Sequence, residues 1–203
     1  MSAPPRTPVR KGITPDRVVA EAAAVADESG WDRLTLAAVA ERLGVALPSL
    51  YKHVGGLDDL RSRVSVLALD QLADALAAAA VGRSGLDALR ATATAYRDFA
   101  RTHPGTYPAT LRAPEPGDAS HEAAGARVLE VVSGVLREYD LQGDDLVDAI
   151  RALRSTLHGL VSLELAGGFG LPRDVARSLD RLVAALDLAF RGSTYHDDAG
   201  DPR

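Results

Sequence analysis

TLAAVAERLGVALPSLYKHVGGLDDL, residues 35–60, contains two short stretches with helical apolar spacing, separated by a three-residue turn. Thr35 is a good N-cap, Leu36, Val39, Ala40 and Leu43 fall on one helical face, and Gly44 supplies the stop. After Gly44-Val45-Ala46, residues Leu47, Leu50, Tyr51 and Val54 recur at i, i+3, i+4 and i+7. This spacing predicts a second helix of about eight residues, about 12 Å long at 1.5 Å per residue. Gly55-Gly56 breaks it. Asp58 and Asp59 then suit the positive end of a longer helix running from near Leu57 to about Ala80.

The rest of the chain has the same character. Upstream, Thr14 caps a helix that has Pro15 where a missing N–H costs nothing, and Gly30 stops it after Ser29. Downstream, helical spacing continues over residues 86–102, about 120–139, about 143–166 and about 173–190. The breaks fall at Gly82–Gly85, at His103-Pro104-Gly105 and in the Pro/Gly-rich RAPEPGDAS of residues 112–120. No stretch alternates as a half-buried strand would. The expected fold is all-α with about nine helices: a three-helix head over residues 13–56 and a helical body over 57–191. Loose tails are expected at 1–12 and 192–203.

The chain has 203 residues, of which 46% are hydrophobic and 25% charged, with a mean hydropathy of -0.03. A core of useful size forms at this length without disulfide or metal. The absence of Cys excludes disulfide frameworks, thiolate zinc sites, iron-sulfur clusters and cysteine nucleophiles. The start MSAPPRTPVRKG has no apolar leader region, and no stretch reaches the roughly 18 apolar residues of a membrane span, so a cytoplasmic location and no membrane partner are expected. The net charge of -5 argues at first against a polyanionic partner. Its distribution weakens that argument. Residues 1–65 carry 9 Lys and Arg against 8 Asp and Glu, a net of +1, and the remaining residues carry 14 against 20, a net of -6.

A helix, a short Gly-containing turn and a second helix is also the helix-turn-helix arrangement, whose second helix lies in the major groove of DNA. Many helical bundles contain two short amphipathic helices joined the same way, so the spacing alone leaves both readings open. The polar side of the second helix favours DNA: Pro48, Ser49, Lys52 and His53 are left outward, and Tyr51 can pack its ring while its hydroxyl reaches a phosphate.

Residues 13–65, and 35–60 above all, resemble the DNA-binding domain of the TetR (tetracycline-repressor) family of bacterial transcription regulators. The resemblance is carried by the leading helix ending in Gly30-Trp31, by the capping Thr35, by Ala-x-x-Leu-Gly-Val and by Leu-Tyr-x-His. Leu157-His158-Gly159-Leu160-Val161-Ser162-Leu163-Glu164, followed by Gly167-Gly168-Phe169, is similar to the WHG-type C-terminal domain of one branch of that family, although the Trp of that name is missing upstream of His158. The resemblance implies a double-stranded operator as partner and no cofactor. Thr35, Tyr51 and His53 would hold phosphates, Lys52 a phosphate or a base edge, and Ala46, Leu47, Pro48 and Ser49 would face the groove. Relatives often carry Ser or Thr at position 46 and Lys at position 57, where this chain has Ala46 and Leu57. Arg6, Arg10 and Lys11 in the tail are therefore candidate extra contacts.

Residues 57–191 are implied to bind a small-molecule effector and to form a homodimer. Leu153, Leu157, Leu160, Leu179, Leu182 and Leu186 lie on heptad-like stripes that suit either the chain's own core or a dimer seam. Tyr96, Phe99, Tyr107, His158, Glu164 and Phe169 are the candidate ligand contacts, chosen as aromatics with a few polar groups, and each also suits plain core. The implied role is a repressor released by an effector, with an activator of the same family as the alternative. An enzyme and a protein-binding scaffold are the rivals from other classes. No catalytic or metal site is expected: the five histidines are scattered, His121-Glu122 meets Gly125 where a zinc helix needs a second His, and there is no G-x-S-x-G elbow or phosphate loop.

Overall fold

The computed structural model describes residues 13–192, and within them every regular element is helical. Seven α-helices run in chain order: α1 (Pro15–Ser29), α2 (Leu36–Leu43), α3 (Leu57–Ala80), α4 (Gly85–Thr102), α5 (Ala119–Leu136), α6 (Gly143–Leu165) and α7 (Val175–Gly192). Four short 3-10 segments lie between them, at Trp31–Arg33, Leu47–Lys52, Tyr107–Leu111 and Arg137–Tyr139. Of the helical stretches expected, residues 47–54 form a 3-10 segment instead of an α-helix, and the last residues of the 120–139 stretch tighten into another. Of the expected tails 1–12 and 192–203, only Gly192 is among the described residues, and it ends α7.

The helix starts follow from local chemistry. The Thr14 hydroxyl oxygen accepts from the Arg17 amide at 3.2 Å, and that of Thr35 accepts from the Ala38 amide at 3.2 Å. Gly44 ends α2 with φ 67°, a left-handed conformation that a side chain would disfavour. Asp118 caps α5, accepting from the His121 amide at 3.0 Å.

Two apolar cores result. The first gathers Val18, Ala22, Leu34, Val39, Leu50 and Leu60, so the back of the turn region 44–56 is packed against α1 and the start of α3. The second, lower in the body, joins α3, α4, α5, α6 and α7 around Leu76, Leu89, Phe99, Leu136, Leu153 and Val183. α3 serves both: Leu60 and Val64 are in the first, Leu72 and Leu76 in the second. Its 24 residues make a rod of about 36 Å that passes from head to body without a break.

Polar ties fix the two parts to each other. The Asp27 carboxylate on α1 accepts from the amides of Gly105 (3.0 Å) and Thr106 (2.7 Å) and from the Thr106 hydroxyl (3.1 Å), and faces His103 Nδ1 at 3.0 Å. Gly105 has no room for a side chain, because a Cβ there would stand 1.7 Å from the Ala26 carbonyl oxygen. From α3, the Ser62 hydroxyl donates to the Asp118 carboxylate at the start of α5.

Candidate functional site

Leu47–Lys52, expected as an eight-residue α-helix, is a six-residue 3-10 segment. Ala46 gives no side-chain cap and Pro48 removes an early N–H, so the short stretch closes with i+3 bonds from Ser49 to Ala46 (2.8 Å) and His53 to Leu50 (2.8 Å). At about 2.0 Å per residue it still spans about 12 Å, the width of the major groove. Leu50 and Val54 are buried in the head core and anchor it.

That anchoring turns the other side outward. Ala46, Leu47, Pro48, Tyr51 and Lys52 are exposed, Tyr51 by 58%, while Ser49 and His53 are half-buried. Lys52 forms no ion pair with any described residue, so its ammonium is available. Thr35 is exposed beside them, and its O–H remains free to donate although its oxygen is engaged as a cap. By contrast, Arg42 is held by Glu21 (2.8 Å) and Glu28 (2.6 Å), and Arg63 by Asp59 (2.9 Å). These arginines brace the head. Arg6, Arg10 and Lys11 lie outside the described residues.

The body contains a cavity of about 490 Å³ between α3, α4, α5 and α6. Of the six expected ligand contacts, Tyr96 alone lines it. Tyr107 is buried behind Tyr96, with the phenol oxygens 3.0 Å apart, and its hydroxyl meets His158 Nδ1 at 2.7 Å. Burial pushes the pKa of both phenols up, so they are neutral hydrogen-bonding groups. Phe99 is core and stacks on His103. Glu164 forms a two-pronged pair with Arg97, at 2.7 and 2.5 Å, which holds its carboxyl below the usual range. Phe169 is exposed beyond the end of α6. The residues the sequence did not offer as contacts are Thr92, Arg112, His121 and Arg154. His121 is the one with a sequence signal, following directly on the Pro/Gly loop at the start of α5.

Leu153, Leu157, Leu160 and Leu179 are buried inside the chain's own core, and Leu153 and Leu157 also line the cavity. They have no surface left for a partner chain. Leu186 is partly buried and Leu182 is exposed. The apolar surface of the last two helices is carried instead by Leu163, Leu165, Leu182 and Leu188.

A buried-backed helix-turn-helix with an exposed polar and cationic front, joined by one rigid helix to a helical body, defines a DNA-binding transcriptional regulator. Residues 18–64 match the family described as "Bacterial regulatory proteins, tetR family", and residues 89–186 match "Tetracyclin repressor-like, C-terminal domain". The chain is 38% identical over 156 residues to the uncharacterized HTH-type transcriptional regulator Rv0681 of Mycobacterium tuberculosis, covering 76% of this chain and 72% of that one. It is 31% identical over 169 residues to the tetracycline repressor protein class A from transposon 1721 of Escherichia coli, covering 76% and 68%. The solved structure of the transcriptional regulator SCO7222, a TetR from Streptomyces coelicolor, shares the fold with a TM-score of 0.69 and 18% identity, over 89% of this chain and 98% of that one. This chain belongs to the TetR family of transcriptional regulators, which are DNA-binding proteins and not enzymes. No helix among the described residues is long and apolar enough to cross a membrane.

Proposed function

We propose that this chain acts as a homodimeric repressor that leaves a palindromic operator when a small organic effector fills the cavity of the body. The observation that carries the DNA-binding part is the exposed front of Ala46–Lys52 over a buried Leu50 and Val54. Thr35, Tyr51 and His53 hold phosphates, Lys52 holds a phosphate or a base edge, and Ala46, Leu47, Pro48 and Ser49 meet the groove. Apolar groups at the front read thymine methyls, and Ser49 is an undemanding hydrogen-bonder, so one copy discriminates poorly. Two copies, with their recognition segments about 34–36 Å apart, read two half-sites.

The second copy docks on the outer faces of α6 and α7. Leu163, Leu182 and Leu188 leave apolar surface there that a single chain does not cover. Release follows if the effector binds better to a dimer whose recognition segments no longer match the groove spacing. A coupling of about 1–3 kcal/mol is enough. The ties at Ser62–Asp118 and along α3 are the parts that join cavity to head.

Footprinting on DNA upstream of the chain's own gene tests this reading. The expected pattern is two protected half-sites with dyad symmetry. A single unsymmetrical half-site, or no protection at all, overturns it.

A further inference from the structure

The cavity assigned to the effector under the proposed function has a composition that narrows what fills it, and the ligand class inferred from its walls rests on that assignment. About 490 Å³ is the space of a mid-sized organic molecule. Its walls are aliphatic, with Leu72 and Leu76 from α3, Val132 from α5, and Ile150, Leu153 and Leu157 from α6. Such walls exclude a sugar or a nucleotide, whose polar groups would lose their water without replacement.

The polar groups are few, and two of the buried ones are unsatisfied. Thr92 Oγ1 and His121 Nε2 belong to side chains that are 2% and 4% exposed, and neither atom has a hydrogen-bond partner among the described residues. Buried polar atoms are nearly always paired, so two open ones lining one cavity point to a partner that enters it. Arg112 and Arg154 line the same cavity on its solvent side, and neither forms an ion pair with a described residue. The one carboxylate lining the cavity is Glu122, so its charge balance is positive. Arg112 and His121 in addition border a second, smaller hollow beside Asp58, Ser62 and Glu115, at the foot of the head.

We infer that the effector is an amphipathic monocarboxylate, its aliphatic part between α3, α5 and α6 and its carboxylate on Arg112 and Arg154, with His121 and Thr92 bonding a polar atom near the head group. An amine is repelled by two guanidiniums. A purely apolar molecule leaves His121 and Thr92 unpaired. Guanidinium recognises carboxylate by paired, charge-assisted bonds, so the head group contributes selectivity and the chain contributes affinity.

Calorimetric titration of the full chain with straight-chain monocarboxylates from hexanoate to dodecanoate, and with the primary alcohols of equal length, tests this. The expected result is that carboxylates tighten by about fourfold per added methylene, the equilibrium equivalent of about 0.8 kcal/mol per buried CH₂, until the cavity is full. Each carboxylate should bind about tenfold or more tightly than its alcohol, as loss of a charge-assisted hydrogen bond implies. Arg112→Ala with Arg154→Ala should erase that difference while leaving alcohol binding as it was. Both arginines are exposed, so the variant folds. Ala126→Trp, on the exposed wall of α5, should weaken binding of acids and alcohols together. Alcohols binding as tightly as acids, or an acid preference that survives loss of both arginines, overturns the inference.

A parallel measurement of promoter DNA binding separates this from the reading beneath it. Carboxylates that bind as expected and leave DNA affinity unchanged overturn effector release and uphold the ligand class. Release by neutral molecules that Ala126→Trp blocks upholds effector release and overturns the ligand class.

Discussion

Removing the Asp27 carboxylate should loosen the joint between the DNA-binding head and the body. In Asp27→Ala, the amides of Gly105 and Thr106, the Thr106 hydroxyl and His103 Nδ1 lose their acceptor together. Thr106 is buried, so its amide has little water to turn to. An unsatisfied buried donor costs about 1–3 kcal/mol, and partial access of water to the Asp27 side, 21% exposed, brings the total to about 2–4 kcal/mol. For a chain of this size each kcal/mol lowers the melting temperature by about 2–4 °C, so a drop of roughly 5–15 °C is expected. Asp27→Asn provides the control. Oδ1 takes three of the four bonds and an asparagine keeps that oxygen. Its new amide faces His103 Nδ1, which accepts in the other tautomer, and the cost stays below about 1 kcal/mol. Thermal melts followed by circular dichroism and by calorimetry read both variants. In Asp27→Ala the two cores should also melt apart in temperature, since their polar clamp is gone. An Asp27→Ala protein that melts like the parent, or an Asp27→Asn protein that melts like Asp27→Ala, refutes the reasoning.

Three further perturbations have expected outcomes. Gly105→Ala drives a Cβ against the Ala26 carbonyl oxygen, and its loss of stability should reach the top of the about 1–3 kcal/mol range for overpacking, read by urea unfolding. Glu164 and Asp187 are held below their ordinary pKa values mainly by their bonds to Arg97 and Arg191, so they add stability above the ordinary carboxylate range that is lost as pH falls through their folded values. Glu164→Gln should flatten the acid limb of stability measured from pH 6 down to about pH 3. Leu182→Glu with Leu188→Glu, on the exposed face of α7, should turn a dimer into a monomer in light scattering without lowering helix content, and an unchanged mass contradicts the placing of the dimer face.

What was legible in the sequence was whatever local chemistry decides. Thr14 and Thr35 cap their helices, Gly44 ends α2, and Leu57–Ala80 is a helix with the predicted bounds, because caps, stops and apolar spacing act within a few residues. The stretch after the Gly44 turn is helical, as its spacing predicts, but of the tighter kind: the i, i+3 spacing of Leu47 and Leu50 suits both, and Pro48 with the uncapped Ala46 tips a six-residue stretch to the 3-10 form. The cavity was not legible. Leu153 and Leu157 have the spacing of a core or a seam, and only the placement of α3 and α5 opposite them turns that stripe into a cavity wall. Aromatic content pointed to Tyr107 and Phe99, which are buried in the core and do not line the cavity, whereas Arg112, His121 and Arg154 line it because segments far apart in sequence meet there. The Asp27 clamp joins residues 76 to 79 positions apart, beyond any local pattern.

The net charge of -5 and a nearly neutral head imply that DNA is held by few contacts, Lys52 foremost. Titration of DNA from upstream of the gene against the full chain at increasing salt, with the parent, Lys52→Ala and Tyr51→Phe, tests this most directly. The predicted result is an affinity that falls steeply with salt, a Lys52→Ala slope shallower by about 1 per bound copy, and weaker binding by Tyr51→Phe. An affinity that neither salt nor the two substitutions change contradicts the assignment of Leu47–Lys52 as the DNA-reading segment.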